Sequence, residues 1–344
     1  MNAFTETEVK PVAKLAMTPV KLNLPNDRWK AMEIAFWLLP VAAYFAFPGY
    51  LVLISQIMII GLFAVSLDLI LGYAGIVSLG HAAFFGLGAY TAGLLSVHGW
   101  GEPFSGLLAA GVVAGVFGLL VSFLVVRGQD LTRLMVTLGI GLMLFEAANK
   151  ASFITGGVDG LSGMMVGKLF GVFEFDLNGT VAFWYSFAVL FVLFVVLRRV
   201  VKSPFGLSLI GIREGVRRMP SLGVNVNRRL VAIFTLGAAV AGVAGALLAQ
   251  TTQFVGLDVL GFPRSAELMI MLVLGGTGRL YGGLVGAAVF MLAQDYISGL
   301  NPAYWQFYIG LLLILIVLFA RGGVLGGLER LIRLVKPSNR KEQP

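Results

Sequence analysis

The chain has 344 residues, 58% hydrophobic and only 12% charged, with a net charge of +8 and a mean hydropathy of +0.91. A soluble domain carries about 25% charged residues, so this composition excludes an ordinary water-soluble fold and points to lipid. Cysteine is absent and the two histidines, His81 and His98, cannot alone build a zinc site, which excludes disulfides, thiolate chemistry and a Cys- or His-based metal centre.

Residues 1–30 are polar and lack an early apolar core, so they are expected to form a flexible cytoplasmic tail, not a cleaved signal peptide. A bilayer core of about 30 Å needs about 20 apolar residues per helix. Apolar runs of that kind lie at 31–47, 50–71, 77–97, 104–126, 131–150, 181–200, 229–250, 264–278, 280–297 and 303–320. The eighth is short and opens with Arg264 and Glu267, so a re-entrant loop is its alternative reading. Charge arbitrates. With ten crossings and the N-terminus inside, 22 of the 25 Lys and Arg residues fall in cytoplasmic gaps or tails, leaving Lys150, Lys168 and Arg264 on or near the outer side. This placement also explains the net positive charge without nucleic acid. The expected architecture is an all-α polytopic membrane protein of about ten transmembrane helices, some short or broken, with both termini cytoplasmic. The transmembrane domain would span 31–320, followed by a basic cytoplasmic tail at 321–344.

In chain order, the first unusual segment is GYAGIVSLGHAAFFGLGAY at 72–90, with Gly72, Gly75, Gly80, Gly86 and Gly88 in one membrane region. Glycine permits close helix approach and a broken helix. Ser78 and His81 lie on it, and imidazole at membrane depth normally turns away from lipid. Two readings stand side by side: a wall of a translocation path, or close packing. Gly111/Gly115, Ala241/Gly245 and Gly282/Gly286 are further small-residue pairs at four-residue spacing, read as packing seams for the first two.

Residues 203–227, SPFGLSLIGIREGVRRMPSLGVNVN, form the longest polar stretch between very apolar segments. Ser203-Pro204 reads as a helix start. Leu209, Ile212, Val216 and Met219 recur at steps of three and four as one apolar stripe. Arg213, Glu214, Arg217 and Arg218 take the other faces, and Pro220 and Gly223 end the element. The predicted element is an amphipathic helix on the cytoplasmic side, with no soluble domain to cover its stripe, and therefore a docking site for another chain.

Asp68, Glu146, Asn149, Asp258, Glu267 and Asp295 lie in or near spans. Buried carboxylates serve as proton relays in ion-coupled carriers, but these sit near helix ends or beside glycine, where capping and helix-to-helix hydrogen bonds are the plainer role. Enzyme signatures are missing: there is no phosphate loop, since Gly163 to Lys168 has the wrong spacing, no H-E-x-x-H and no G-x-S-x-G. Any ATP hydrolysis must come from another chain.

Three stretches carry a resemblance to a known family. GYAGIVSLGHAAFFGLGAYTAGLL at 72–95, GIREGVRRMPSLGVNVNRRLVAIFTLGAAVAGVAGAL at 211–247 and SAELMIMLVLGGTGRLYGGLVGAAV at 265–289 resemble the permeases of branched-chain amino acid ABC importers, specifically the LivM-like subunit. The resemblance implies a transporter subunit and not an enzyme. It would sit in the bacterial inner membrane beside a second, related permease, with two cytoplasmic ABC ATPases and a periplasmic solute-binding protein. ATP and Mg would be bound by the ATPases, and no cofactor by this chain. It implies coupling-loop roles for Arg213, Glu214, Leu222 and Gly223, to which the stripe residues Leu209, Ile212 and Val216 add. It sets Gly72, Gly75, Ser78, Gly80 and His81 near the translocation path. Met219-Pro220-Ser221 with Arg217-Arg218 departs from the alanine- and glutamate-rich turn of the relatives. The expected solute is a branched-chain or other hydrophobic amino acid. The alternatives are urea, short amides or aromatic acids, or a stand-alone ion-coupled carrier.

Overall fold

In lipid a chain must satisfy its backbone N–H and C=O groups internally, and a helix does so within one segment. The apolar runs accordingly fold as helices. The computed structural model describes residues 31–327 apart from 170, 172, 177, 303, 320 and 321, and the expected N-terminal tail lies outside them. Among the described residues there are only two isolated β-bridges and no strand.

The main helices are α1 (Ala31–Ala46), α2 (Leu51–Asp68), α3 (Ala82–Val97), α4 (Pro103–Arg127) and α5 (Asp130–Lys150), then the short α6 (Ser152–Thr155). They continue as α7 (Thr180–Lys202), α8 (Pro204–Gly215), α9 (Val226–Thr252), α10 (Phe262–Gly275), α11 (Leu280–Leu300) and α12 (Trp305–Phe319). Six segments are long and apolar enough to cross a membrane: Pro48–Tyr73, Pro103–Arg127, Leu131–Lys150, Thr180–Lys202, Val226–Thr252 and Leu280–Leu300. The helices Met32–Ala46 and Ala82–Val97 are apolar but shorter. Every expected span therefore contains a helix, though several are too short to cross alone.

Two expectations change in detail. The expected span 77–97 begins as helix only at Ala82: a π-helical turn at Leu69–Tyr73 prolongs α2, and residues 74–81 leave helical geometry before α3. Gly75 there has φ +72°, the left-handed region where a side chain is strained. Of the basic tail expected from 321, only residues 322–327 are described: 323–327 form a helical turn, and an added Cβ on Gly323 would come within 2.5 Å of the Gly276 nitrogen.

α9 lies at the centre, with 72% of its apolar window buried, whereas only 11% of α5's is. Small residues put it there. A Cβ on Gly115 would stand 3.2 Å from that of Ala239, one on Gly111 would stand 2.9 Å from Val243, and Gly88 of α3 rests against the Gly242 backbone. The small-residue pairs of α4 and α9 thus act as packing seams, as their spacing predicts. Gly282 and Gly286 serve the same purpose between α11 and α10, where Gly286 abuts the Met271 carbonyl. Polar ties close one end of the bundle: Tyr185 donates to Gln250 Oε1 at 2.8 Å, and Gln250 Nε2 donates to the Pro103 carbonyl at 2.7 Å. Nearer the other end, Arg198 of α7 donates to Glu33 of α1 at 2.8 Å and is 3% exposed, so α1 is docked through a paired buried charge.

Candidate functional site

α8 is built as its sequence predicts at the start. The Ser203 side chain accepts from Phe205 N–H at 3.2 Å, and Pro204 occupies the first helical position. It ends sooner than expected. The helix stops at Gly215, a turn follows, and a 3-10 turn at Pro220–Leu222 leads to Gly223 at φ +78°. Only glycine takes that φ without strain, so the expected stop at Gly223 is present but closes a separate turn.

The stripe is the larger correction. Leu209, Ile212 and Met219 are buried by this chain itself, at 0%, 1% and 8% exposure. They hold α8 against the bundle and are not an open face. Gly206 lies against the Val201 carbonyl and Arg229 of α9 stacks over Phe205 at 5.1 Å, so both ends of the segment are pinned. Exposed on α8 and its following turn are Arg213, Glu214, Val216, Arg217, Arg218 and the turn through Pro220, Ser221, Leu222 and Gly223, with Leu222 at 74%. The apolar period was legible, but which molecule covers it is a tertiary fact.

Arg213 reaches inward from α8. Its Nη1 donates to the Gly72 carbonyl at the end of the π-turn that prolongs α2. The last carbonyls of a helix lack intrahelical donors and carry partial negative charge, so a guanidinium suits that end. At the same point Asp68 Oδ1 accepts from Gly278 N–H at 2.7 Å, in the loop between α10 and α11. Asp68 therefore bonds to a loop, where its position suggested capping or a helix-to-helix hydrogen bond. Gly278 as its partner had no signal beyond the glycine-rich run.

The glycine-rich segment is placed deep within the chain. Ser78 is 1% exposed and His81 fully buried, while Gly72 and Gly80 are buried and Gly75 is exposed. His81 Nε2 is hydrogen bonded to Ser66 Oγ at 2.8 Å, and its ring stacks on Phe63 with centroids 5.6 Å apart. Gly80 presses on the Thr137 carbonyl of α5, Leu79 N–H donates to the Thr137 hydroxyl, and Ala82 N–H donates to Ser265 Oγ at the start of α10. In this arrangement Gly72, Ser78, Gly80 and His81 are buried, and Gly75 meets the surface.

The chain is similar to curated transport proteins. It is 29% identical over 308 residues to the high-affinity branched-chain amino acid transport system permease protein LivM of Escherichia coli K12, covering 83% of this chain and 72% of that one. It is 26% identical over 280 residues to the corresponding permease protein LivH of the same strain, covering 77% and 90%. The autoinducer 2 import system permease protein LsrC of Yersinia pestis strain Pestoides F is 28% identical over 306 residues, covering 85% and 82%. No solved structure matches the chain. Residues 49–317 match the family described as branched-chain amino acid transport system, permease component. With its apolar helices and that match across most of its length, the chain is a multi-pass membrane protein and belongs to the family of branched-chain amino acid transport system permease components.

Proposed function

We propose that the chain is the LivM-like permease subunit of an ATP-driven importer in the bacterial inner membrane. The observation that carries the reading is the family match over 49–317, which contains both the glycine-rich segment and α8. The chain crosses the membrane ten times with both termini cytoplasmic, and it pairs with a second, related permease. Two cytoplasmic ABC ATPases, which bind ATP and Mg, sit below, and a periplasmic binding protein delivers solute from above. The solute is a branched-chain or other hydrophobic amino acid, as for the relatives named LivM and LivH. The relative named for autoinducer 2 import supports a second reading, in which the solute is of that kind.

Coupling runs through α8 and its following turn. Glu214, Val216, Arg217, Arg218, Leu222 and Gly223 form the surface an ATPase meets, and Leu209 and Ile212 transmit its movement into the bundle. Closure of the ATPase pair then tilts α7 and α9 and shifts the population between outward- and inward-open states. Glu214→Lys reverses charge on the exposed face and lowers solute-stimulated ATP hydrolysis and uptake by about tenfold while the subunit still assembles. Full stimulation in a purified Glu214→Lys complex would count against this face. The decisive experiment is purification of the native complex, followed by uptake into proteoliposomes. Uptake of leucine or another test solute is expected only with ATP inside and the binding protein outside. Uptake by this chain alone under a proton or sodium gradient would replace the reading with an ion-coupled carrier.

A further inference from the structure

Three elements distant in sequence converge at one point. Gly72 lies at the end of the π-turn after α2, and its carbonyl accepts from Arg213 Nη1 of α8. Gly278, in the α10–α11 loop, donates its N–H to Asp68 Oδ1 at 2.7 Å. The two contacts share a site: a Cβ on Gly278 would stand 2.9 Å from Arg213 Nη1 and 3.2 Å from the Gly72 carbonyl, and one on Gly72 would stand 2.5 Å from the Gly278 nitrogen. Gly278 has φ +76°, so a side chain there is excluded by backbone strain as well as by space. Gly75 closes the other side, its Cβ position lying 3.1 Å from Arg213 Cγ. Asp68 itself is fully buried.

We propose that Asp68 and Arg213 form a clamp that makes α8, the end of α2 and the α10–α11 loop move as one body. The inference deepens the importer reading and rests on it. α8 alone is tied by chain to α7 and α9 only. The clamp adds α2 and the α10–α11 hairpin to whatever an ATPase moves. Arg213 is thus a positioning residue that works inward, distinct from the outward-facing Glu214. Removal of either clamp partner leaves α8 folded, through Ser203, Leu209 and Ile212, but loosely geared to the rest of the bundle.

The test uses the full complex of this chain with its partner permease, ATPases and binding protein, and reads solute moved per ATP hydrolysed. Asp68→Ala and Arg213→Gln each lower that ratio by about tenfold, and the double variant lowers it no further, because residues that act through one contact are not additive. A hundredfold loss in the double variant, the product of the singles, would overturn the clamp. Since the chain has no cysteine, a second measurement replaces the clamp covalently. The Cβ position of Gly75 lies 3.6 Å from Arg213 Cβ, within disulfide range. In a Gly75→Cys/Arg213→Cys complex the reduced form has the low ratio of Arg213→Gln, and oxidation restores it. Oxidation that leaves the ratio low, or lowers it further, shows that these elements must separate during transport and rejects the proposal. If the wild-type complex moves no solute with ATP, the importer reading fails. The clamp is then judged by the disulfide in the purified permease, where complete oxidation under mild oxidant supports it and failure to oxidise refutes it.

Discussion

His81 and Ser66 show what one side chain does in a buried interior. The imidazole is fully buried, hydrogen bonded to Ser66 Oγ at 2.8 Å and held between Phe63 and Phe84. A polar group left without its partner there costs about 1–3 kcal/mol. Ser66→Ala is therefore expected to lower the thermal midpoint of the purified permease by that equivalent, and an unchanged midpoint would mean that the ring contacts alone hold His81. The sequence singled out His81 correctly as a residue turned away from lipid. Its partner fifteen residues earlier was not legible, because α2 and the broken segment bring the two together through a turn that no local pattern specifies.

At the scale of helices, the packing of α3, α4 and α9 rests on the absence of side chains. A Cβ on Gly88 would fall within 2.5 Å of the Gly242 carbonyl carbon, whereas one on Gly139 of α5 meets nothing within 4 Å. Gly88→Ala must separate two helices, and overpacking of this kind costs about 1–3 kcal/mol. Gly139→Ala adds only helix propensity, worth about 1 kcal/mol in its favour. The pair is tested by the amount of protein in the membrane and its melting point: the first variant is expected to fall on both and the second to hold or rise. Equal behaviour would mean that the seam yields more easily than its distances imply. The four-residue spacing of small residues made the seams of α4 and α9 legible. It did not reveal that α9 is central and α5 peripheral, since both carry an apolar run long enough to cross a membrane.

For the whole molecule, the distribution of basic residues predicts which loops face which side, and the absence of cysteine makes that directly testable. Val158 is 83% exposed in the segment between α5 and α7, and Leu222 is 74% exposed after α8. In cells, a membrane-impermeant maleimide is expected to label Val158→Cys when applied outside, and Leu222→Cys only after the membrane is permeabilised. Labelling of both from outside would overturn the ten-crossing topology and, with it, access of an ATPase to α8.

Composition and apolar run length by themselves determined that this is a helical membrane protein, and the Ser-Pro pair determined where α8 begins, while the Pro-Gly signal marks a separate turn after it. Such signals are local: a cap, a span or a glycine turn satisfies its own backbone within a few residues. Only the tertiary structure decided that Leu209 and Ile212 are covered by their own chain, that the 72–81 segment is packed against α5 and α10, and that Arg213, Gly72, Asp68 and Gly278 meet at one point. The physical reason is that every face of these helices is apolar enough to be buried or to meet lipid. Hydrophobic period therefore does not say which face is inside, and backbone-to-backbone approach through glycine leaves no side-chain pattern to read.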